Sequence, residues 1–307
     1  MSNLPTNFPF ELGLYHKPEH VSLLAKSTCF SFVLFHSEND TPLALIHFSK
    51  TDCTTWQSPA QAPFGGLISH PTCNTEGIEY LFKIAESWLN IQACTTLIIK
   101  SPARIYEYNQ NFSFNFYKTL GFLKESISTN YYIKVQYEDF TSIIKPQERR
   151  RIKKCTKYGF TCKILTHRDV VSLYGFIKKN RETKGYHMPV NFEKLDHLFQ
   201  SFPENVVGFG VYNDQELVAA SVCIKVTDKI LYNFLVSDNL AYRGFSPVAK
   251  LYETIYDYCK NADIEVLDMG VSLDNDGAFK PSLARFKLNM GAKTGEKITW
   301  VKSLFKN

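Results

Sequence analysis

The spacing of apolar residues changes period several times along the chain, and each change marks an element. The runs CFSFVLFHS (29–37) and TPLALIHFS (41–49) are dense in β-formers and flank Glu38-Asn39-Asp40, so they predict a hairpin. A loop rich in Pro and Gly, WQSPAQAPFGGLIS (56–69), follows. Over 76–90 the apolar positions Ile78, Leu81, Phe82, Ala85 and Leu89 recur at three- and four-residue steps, the signature of one buried helix face. Asn74 or Thr75 is placed to cap that helix. A strand, TTLIIK (95–100), comes next, then a short amphipathic helix in FSFNFYKTL (112–120) that closes at Gly121. A final β pair is expected through 123–137.

The segment SIIKPQERRRIKKCTKYGF (142–160) is polar and basic, with a helix expected after Pro146. We place a domain boundary just before it, near residue 138, giving domains 1–137 and 138–307. Beyond it the grammar resumes with helices at 168–183 and 191–201. A meander follows over 206–213, 217–226 and 229–237. A loop (238–247), a helix (248–260), a strand (264–270), a polar loop, a short helix and Gly291 complete the chain. Laying each residue over the one 170 positions later pairs Leu81 with Leu251, Trp88 with Tyr258, Leu97 with Leu267, Phe116 with Phe286 and Gly121 with Gly291. The expected fold class is therefore α/β (α+β): two tandem domains, each a mixed, mainly antiparallel sheet flanked by helices.

Composition narrows the setting. The net charge of +5 is a mild excess that does not by itself argue for nucleic acid, although Arg149, Arg150, Arg151, Lys153, Lys154 and Lys157 form a dense basic run. The eight cysteines are scattered, with no CxxC and no Cys/His spacing of a zinc site, so no metal is expected and a reducing compartment fits. The first twenty residues lack the basic and apolar regions of a signal peptide, and no run reaches the length of a membrane span. A cytoplasmic protein is expected, and a monomer is compatible with two lobes.

NFYKTLGF (115–122) resembles the helix-plus-glycine motif of the GNAT acyltransferase superfamily. Over 146–300 the chain resembles the Fem-type aminoacyltransferases and their acetyltransferase-like relatives, through RRRIKKCTKYGF, FIKKNRETKGYHMP, ILYNFLVSDNLAYRGFSP and ARFKLNMGAK. APFGGL (62–67) looks like a feature of the same relatives. The resemblance implies tandem GNAT-like domains that move an acyl or aminoacyl group from acyl-CoA or aminoacyl-tRNA to an amine. Acceptors would be small molecules or cell-envelope precursors, with tRNA as a partner if it is the donor. Two departures stand out. The donor loop of the family corresponds to Arg243, Gly244, Phe245, Ser246, Pro247 and Val248, with one glycine and a proline that lacks an N–H. In the first half, the offset places Thr72–Gly77 there, with no basic residue. A non-catalytic binding or scaffold protein with a decayed donor site is the alternative reading.

Acyl transfer needs a positioned carbonyl, a deprotonated nucleophile and charge stabilisation at the oxyanion. The resemblance carries Phe286 and Lys287 to the active site, Lys287 to stabilise charge or contact phosphate, against a plain solvated lysine. Asp268, near the end of a predicted strand, is placed to accept the amine proton or to brace the following loop. Tyr232 either directs its hydroxyl at the acceptor, as the resemblance implies, or packs in the core. Arg181 and Lys184 flank a turn where relatives carry a phosphate-binding residue; Lys at 184 would forgo bidentate recognition. His187 follows in the same turn.

Overall fold

The computed structural model describes residues 4–5, 7–24, 28–59, 61–106 and 116–304. The predicted helix over 112–120 thus lies partly outside the described residues. Two compact units emerge: Met1–Ser128 with Gly295–Asn307, and Thr129–Thr294.

In chain order the elements are α1 (Pro18–Leu24), β1 (Cys29–Phe35), β2 (Pro42–Lys50), β3 (Thr55–Ser58), β4 (Ile68–Ser69), α2 (Thr75–Ile91), β5 (Thr96–Lys100), α3 (Phe116–Thr119) and β6 (Leu123–Lys134). They continue with α4 (Phe140–Ile143), α5 (Pro146–Lys157), β7 (Thr161–Leu165), α6 (Val170–Thr183), α7 (Phe192–Ser201), β8 (Val206–Asn213) and β9 (Glu216–Thr227). Last come β10 (Ile230–Asp238), α8 (Pro247–Asn261), β11 (Val266–Val271), α9 (Pro281–Asn289) and β12 (Lys293–Ser303).

The first unit runs β1-β2-β3-β5-β12: three antiparallel strands, then β5 parallel to β3, then β12 antiparallel to β5. The second runs β7-β8-β9-β10-β11-β6, with β11 parallel to β10 and β6 antiparallel to β11. Each parallel step is bridged by a helix, α2 or α8, because parallel strands need a crossover. This is the mixed, mainly antiparallel architecture expected from the sequence.

The 170-residue offset is physical. Helices α2 and α8 end at Ile91 and Asn261, and the residues two beyond, Ala93 and Asp263, both have positive φ. Helices α3 and α9 close alike: Phe122 N donates to Tyr117 O, and Ala292 N to Lys287 O, each across a glycine near φ +82° or +83°. A Cβ on Gly291 would also stand 2.9 Å from Ile143 O, whereas one on Gly121 meets only the Lys302 side chain at 3.5 Å. Gly291→Ala is therefore expected to cost about 2–3 kcal/mol and Gly121→Ala about 1 kcal/mol; equal denaturant midpoints for the two would refute the packing difference.

Asn74 is the cap of α2, its side chain accepting from Gly77 N. Below the sheets, Trp56, Phe82, Phe122 and Trp300 centre one core, and Phe209, Leu231, Tyr252 and Leu267 the other. One expectation fails: 123–137 is not a β pair but carries one strand to Lys134. Its middle, Ser128-Thr129-Asn130, has no Gly or Pro to turn on, and the Asn130 amide is used across the sheet by Asp268. Inside the expected loop 56–69, β3 and β4 occupy the two ends. Among the described residues no helix is long and apolar enough to cross a membrane.

Candidate active site

The site follows from where pairing stops. Strands β10 and β11 are in register only from Ile230↔Val266 to Tyr232↔Asp268, although β10 continues to Asp238 and β11 to Val271. Past that point β10 follows β9 and β11 follows β6. Register irregularities at Asn233/Leu235 and Asp268/Gly270 bend each strand away from the other. The wedge opens into a cavity of about 860 Å³, lined by Tyr232, Ser237, Arg243, Gly270, Val271 and Lys287 among others. Its charge is lopsided: Arg151, Arg181, Lys184, Arg243, Lys280 and Lys287 face Asp238 and Asp274.

Lys287 sits at the apex. Its side chain is 4% exposed, and Nζ donates to Gly270 O at 3.0 Å and Val271 O at 2.7 Å. The ring of Tyr131 lies 5.3 Å away. An ammonium has three N–H donors, so the third is left for a ligand in the cavity. Burial lowers the Lys287 pKa to about 8, partly offset by the Asp268 carboxylate.

Asp268 does not line the cavity. It is 1% exposed, and Oδ1 accepts from Asn130 Nδ2 and Gly270 N, both at 2.8 Å. It braces the bend of β11 and supplies the field at Lys287. Tyr232 lies on the cavity wall, where burial first and Asp268 second push its phenol up, so it stays protonated. Phe286 packs at the core edge and also faces the cavity, 6.1 Å from the Tyr252 ring.

Arg181 and Lys184 are both in the wall, but each is engaged. Arg181 donates through Nε and Nη2 to His187 O, and burial lowers its pKa. Lys184 pairs with the Asp238 carboxylate and also donates to Asp238 O at 2.8 Å. His187 presents its backbone to these contacts; its side chain is exposed. In the loop before α8, Arg243, Ser246 and Val248 line the cavity. Phe245 turns instead into a cluster with Tyr158, Phe160 and Tyr242. The Gly244 carbonyl accepts from Lys154 Nζ at 3.0 Å, so the basic run tethers this loop. Ser246 adopts a left-handed conformation as the N-cap of α8.

Several wall residues were not singled out as site residues in the sequence. Arg151 reaches the cavity from α5, held by Glu148, which is fully buried, at 2.8 and 2.9 Å. Helical spacing from Glu148 to Arg151 was readable, but burial of the carboxylate was not. Arg181 and Lys280 both lie over the Tyr186 ring, at 5.5 and 4.3 Å from its centroid. Buried Asn233 takes a hydrogen bond from Ser221 at 2.6 Å and donates to Tyr252.

The corresponding place in the first unit is filled by its own chain. Strand β3 stops at Ser58, and APFGGL lies beyond it: Gly65 N donates to Lys100 O, Gly66 N to Ser58 Oγ and Leu67 N to the Tyr117 hydroxyl. Tyr117 holds the position that Lys287 holds 170 residues later. Among the described residues, no group of three His, Cys, Asp or Glu side chains is placed to hold a metal.

Residues 146–286 match the family model described as the acetyltransferase (GNAT) domain. No curated protein sequence matches the chain. Among solved structures, FemX superposes with a TM-score of 0.68 at 12% identity, covering 92% of this chain and 90% of FemX. The L-PGS structure from Bacillus licheniformis gives 0.61 at 12% identity, covering 97% and 95%. A tandem GNAT protein from the clavulanic acid biosynthesis pathway gives 0.56 at 11%, covering 92% and 84%. The family model thus identifies a GNAT domain at 146–286, and these solved structures share the fold of the chain.

Proposed function

We propose that the GNAT domain at 146–286 transfers an acyl or aminoacyl group directly from a thioester or tRNA donor to an amine acceptor, in the wedge between β10 and β11. The observation that carries this reading is the wedge itself, with a buried lysine at its apex. Open strand edges offer backbone N–H and C=O groups to an extended donor. Arg243, Ser246 and Val248 border the donor end, and Arg151, Arg181 and Lys280 give the cavity its affinity for anionic groups such as phosphates. When the amine attacks the acyl carbon, negative charge collects on the carbonyl oxygen; collapse of that intermediate breaks the bond to the donor's sulfur or ribose oxygen, and the thiol or hydroxyl leaves with the proton that the amine gives up. The free N–H of Lys287 is the donor nearest at hand, inside a desolvated site where such a bond is strong. Tyr232, kept neutral, donates a hydrogen bond and does not act as a base. Asp268 acts through Lys287, a change from the amine-proton acceptor that its place in the sequence suggested.

The test is donor-dependent transfer with acyl-CoAs and, separately, aminoacyl-tRNAs, alongside thermal shift with CoA. Binding raises the melting temperature, with the logarithm of ligand concentration once this exceeds Kd, and Arg243→Ala is expected to weaken donor binding about tenfold. A tRNA donor shows itself by steep loss of binding with salt. Absence of both turnover and binding across a broad donor panel would overturn the reading.

A further inference from the structure

The first unit ends in an edge that natural sheets seldom leave open. Strand β1, CFSFVLF, pairs only with β2 among the described residues, and carries no charge, proline or glycine. Proteins ordinarily protect such an edge with Lys, Pro or a short strand. The second unit does this: its edge strand β7 is TCKIL, five residues with Lys163 at the centre.

The outward groups of β1 can be assigned. Lys50 N donates to Thr28 O, so 28, 30, 32 and 34 turn their backbone groups toward β2. By alternation Cys29, Ser31 and Val33 turn theirs outward.

Next to this edge, α2 shows Tyr80, Ile84, Trp88 and Ile91 at 60%, 47%, 45% and 75% exposure. Their spacing of four, four and three residues keeps them on one face. Trp88 meets Phe30 of β1 edge-on at 5.8 Å, so stripe and strand are adjoining surfaces. The equivalent positions on α8, 170 residues on, are Lys250, Thr254, Tyr258 and Asn261. Charge interaction links Lys250 to Cys155 of α5, and Cys162 of β7 bonds Thr254. That face is more polar and is partly engaged by α5 and β7; its counterpart on α2 is exposed and apolar.

We propose that the β1 edge and the α2 stripe together form the interface of a homodimer. Two copies would join their sheets through antiparallel β1 strands. A two-fold axis at Ser31 sets Cys29 opposite Val33 of the second copy, so the outward-facing residues of one strand meet those of the other. The same axis sets Phe30 opposite Phe32, continuing the face on which Phe30 stacks on Trp56 and Phe32 contacts Phe48. A second copy satisfies both features with one operator, as an isologous interface requires.

Sedimentation velocity on the full chain tests this. A dimer that dissociates on dilution is expected. Val33→Pro removes an outward N–H without touching the β2 ladder and is expected to give a monomer with unchanged circular dichroism. Should that variant fold poorly, the exposed change Ile84→Lys is expected to weaken association at least tenfold. Hydrogen exchange adds a local reading: the amides of Cys29, Ser31 and Val33 gain protection as protein concentration rises. A chain that stays monomeric at 100 µM, or a dimer indifferent to both variants, overturns the proposal and leaves the edge for a strand from another protein.

Discussion

Lys287→Met is expected to lower kcat/KM by about 10²–10³-fold, the usual loss when one donor to a developing oxyanion is removed, while the protein stays folded. The stability side separates a functional lysine from a structural one. A pKa lowered from 10.5 to about 8 means that holding the cation in place costs about 3 kcal/mol. Methionine removes that cost. It leaves the Gly270 and Val271 carbonyls without their donor, but both residues border the cavity, where water can reach. The melting temperature of the variant at pH 7 should therefore equal or exceed that of the wild type. The sign with pH is also fixed. Between about 8 and 10.5 the folded wild type holds fewer protons than the unfolded chain, so its stability relative to Lys287→Met rises across that window and is flat below it. Wild-type turnover in the variant would remove Lys287 from the chemistry. A large loss of stability at pH 7 would make it a structural residue.

Asp268→Ala is expected to destabilise by about 3–5 kcal/mol, because it strands a buried cation and two donors at once. Asn130 Nδ2 and Gly270 N lose their acceptor, and Lys287 loses the charge that holds its pKa up. Asp268→Asn separates the two effects. It keeps an oxygen for both hydrogen bonds but removes the charge, so the loss of activity expected of the wild type as pH rises through about 8 should begin at lower pH. Rate–pH profiles of the two proteins decide this. An unmoved basic limb would mean that Lys287 is not the titrating group.

These two residues also show how far a sequence reading reaches. Phe286-Lys287 was placed by resemblance, and the lysine does lie in the cavity. Its burial and its bonds to Gly270 and Val271 depend on β11, which is 16 residues away in the chain. Arg181 and Lys184 were read as flanking a phosphate-binding turn, yet in the fold one is engaged by the 184–187 turn and the other by Asp238, 54 residues distant. Nothing in a local string reports such partners. Arg151 stood within the basic run, but only the buried Glu148 turns it into a directed cavity side chain.

What the chain determined by itself is whatever depends on neighbours within one turn or one strand. The face of α2, its Asn74 cap, the glycines closing α3 and α9, and the 170-residue repeat are set by side-chain period and backbone preference within a few residues. Which strands become neighbours was decided only in three dimensions. The partner of β5 is β12, about 200 residues later, and the partner of β11 is β6, far earlier. A long stretch of alternating residues, such as β6, fits many partners equally well until the opposing surface exists. The wedge between β10 and β11 belongs to that second class. Both strands read as ordinary β segments, and their separation arises because each is held by a different neighbour after Tyr232 and Asp268.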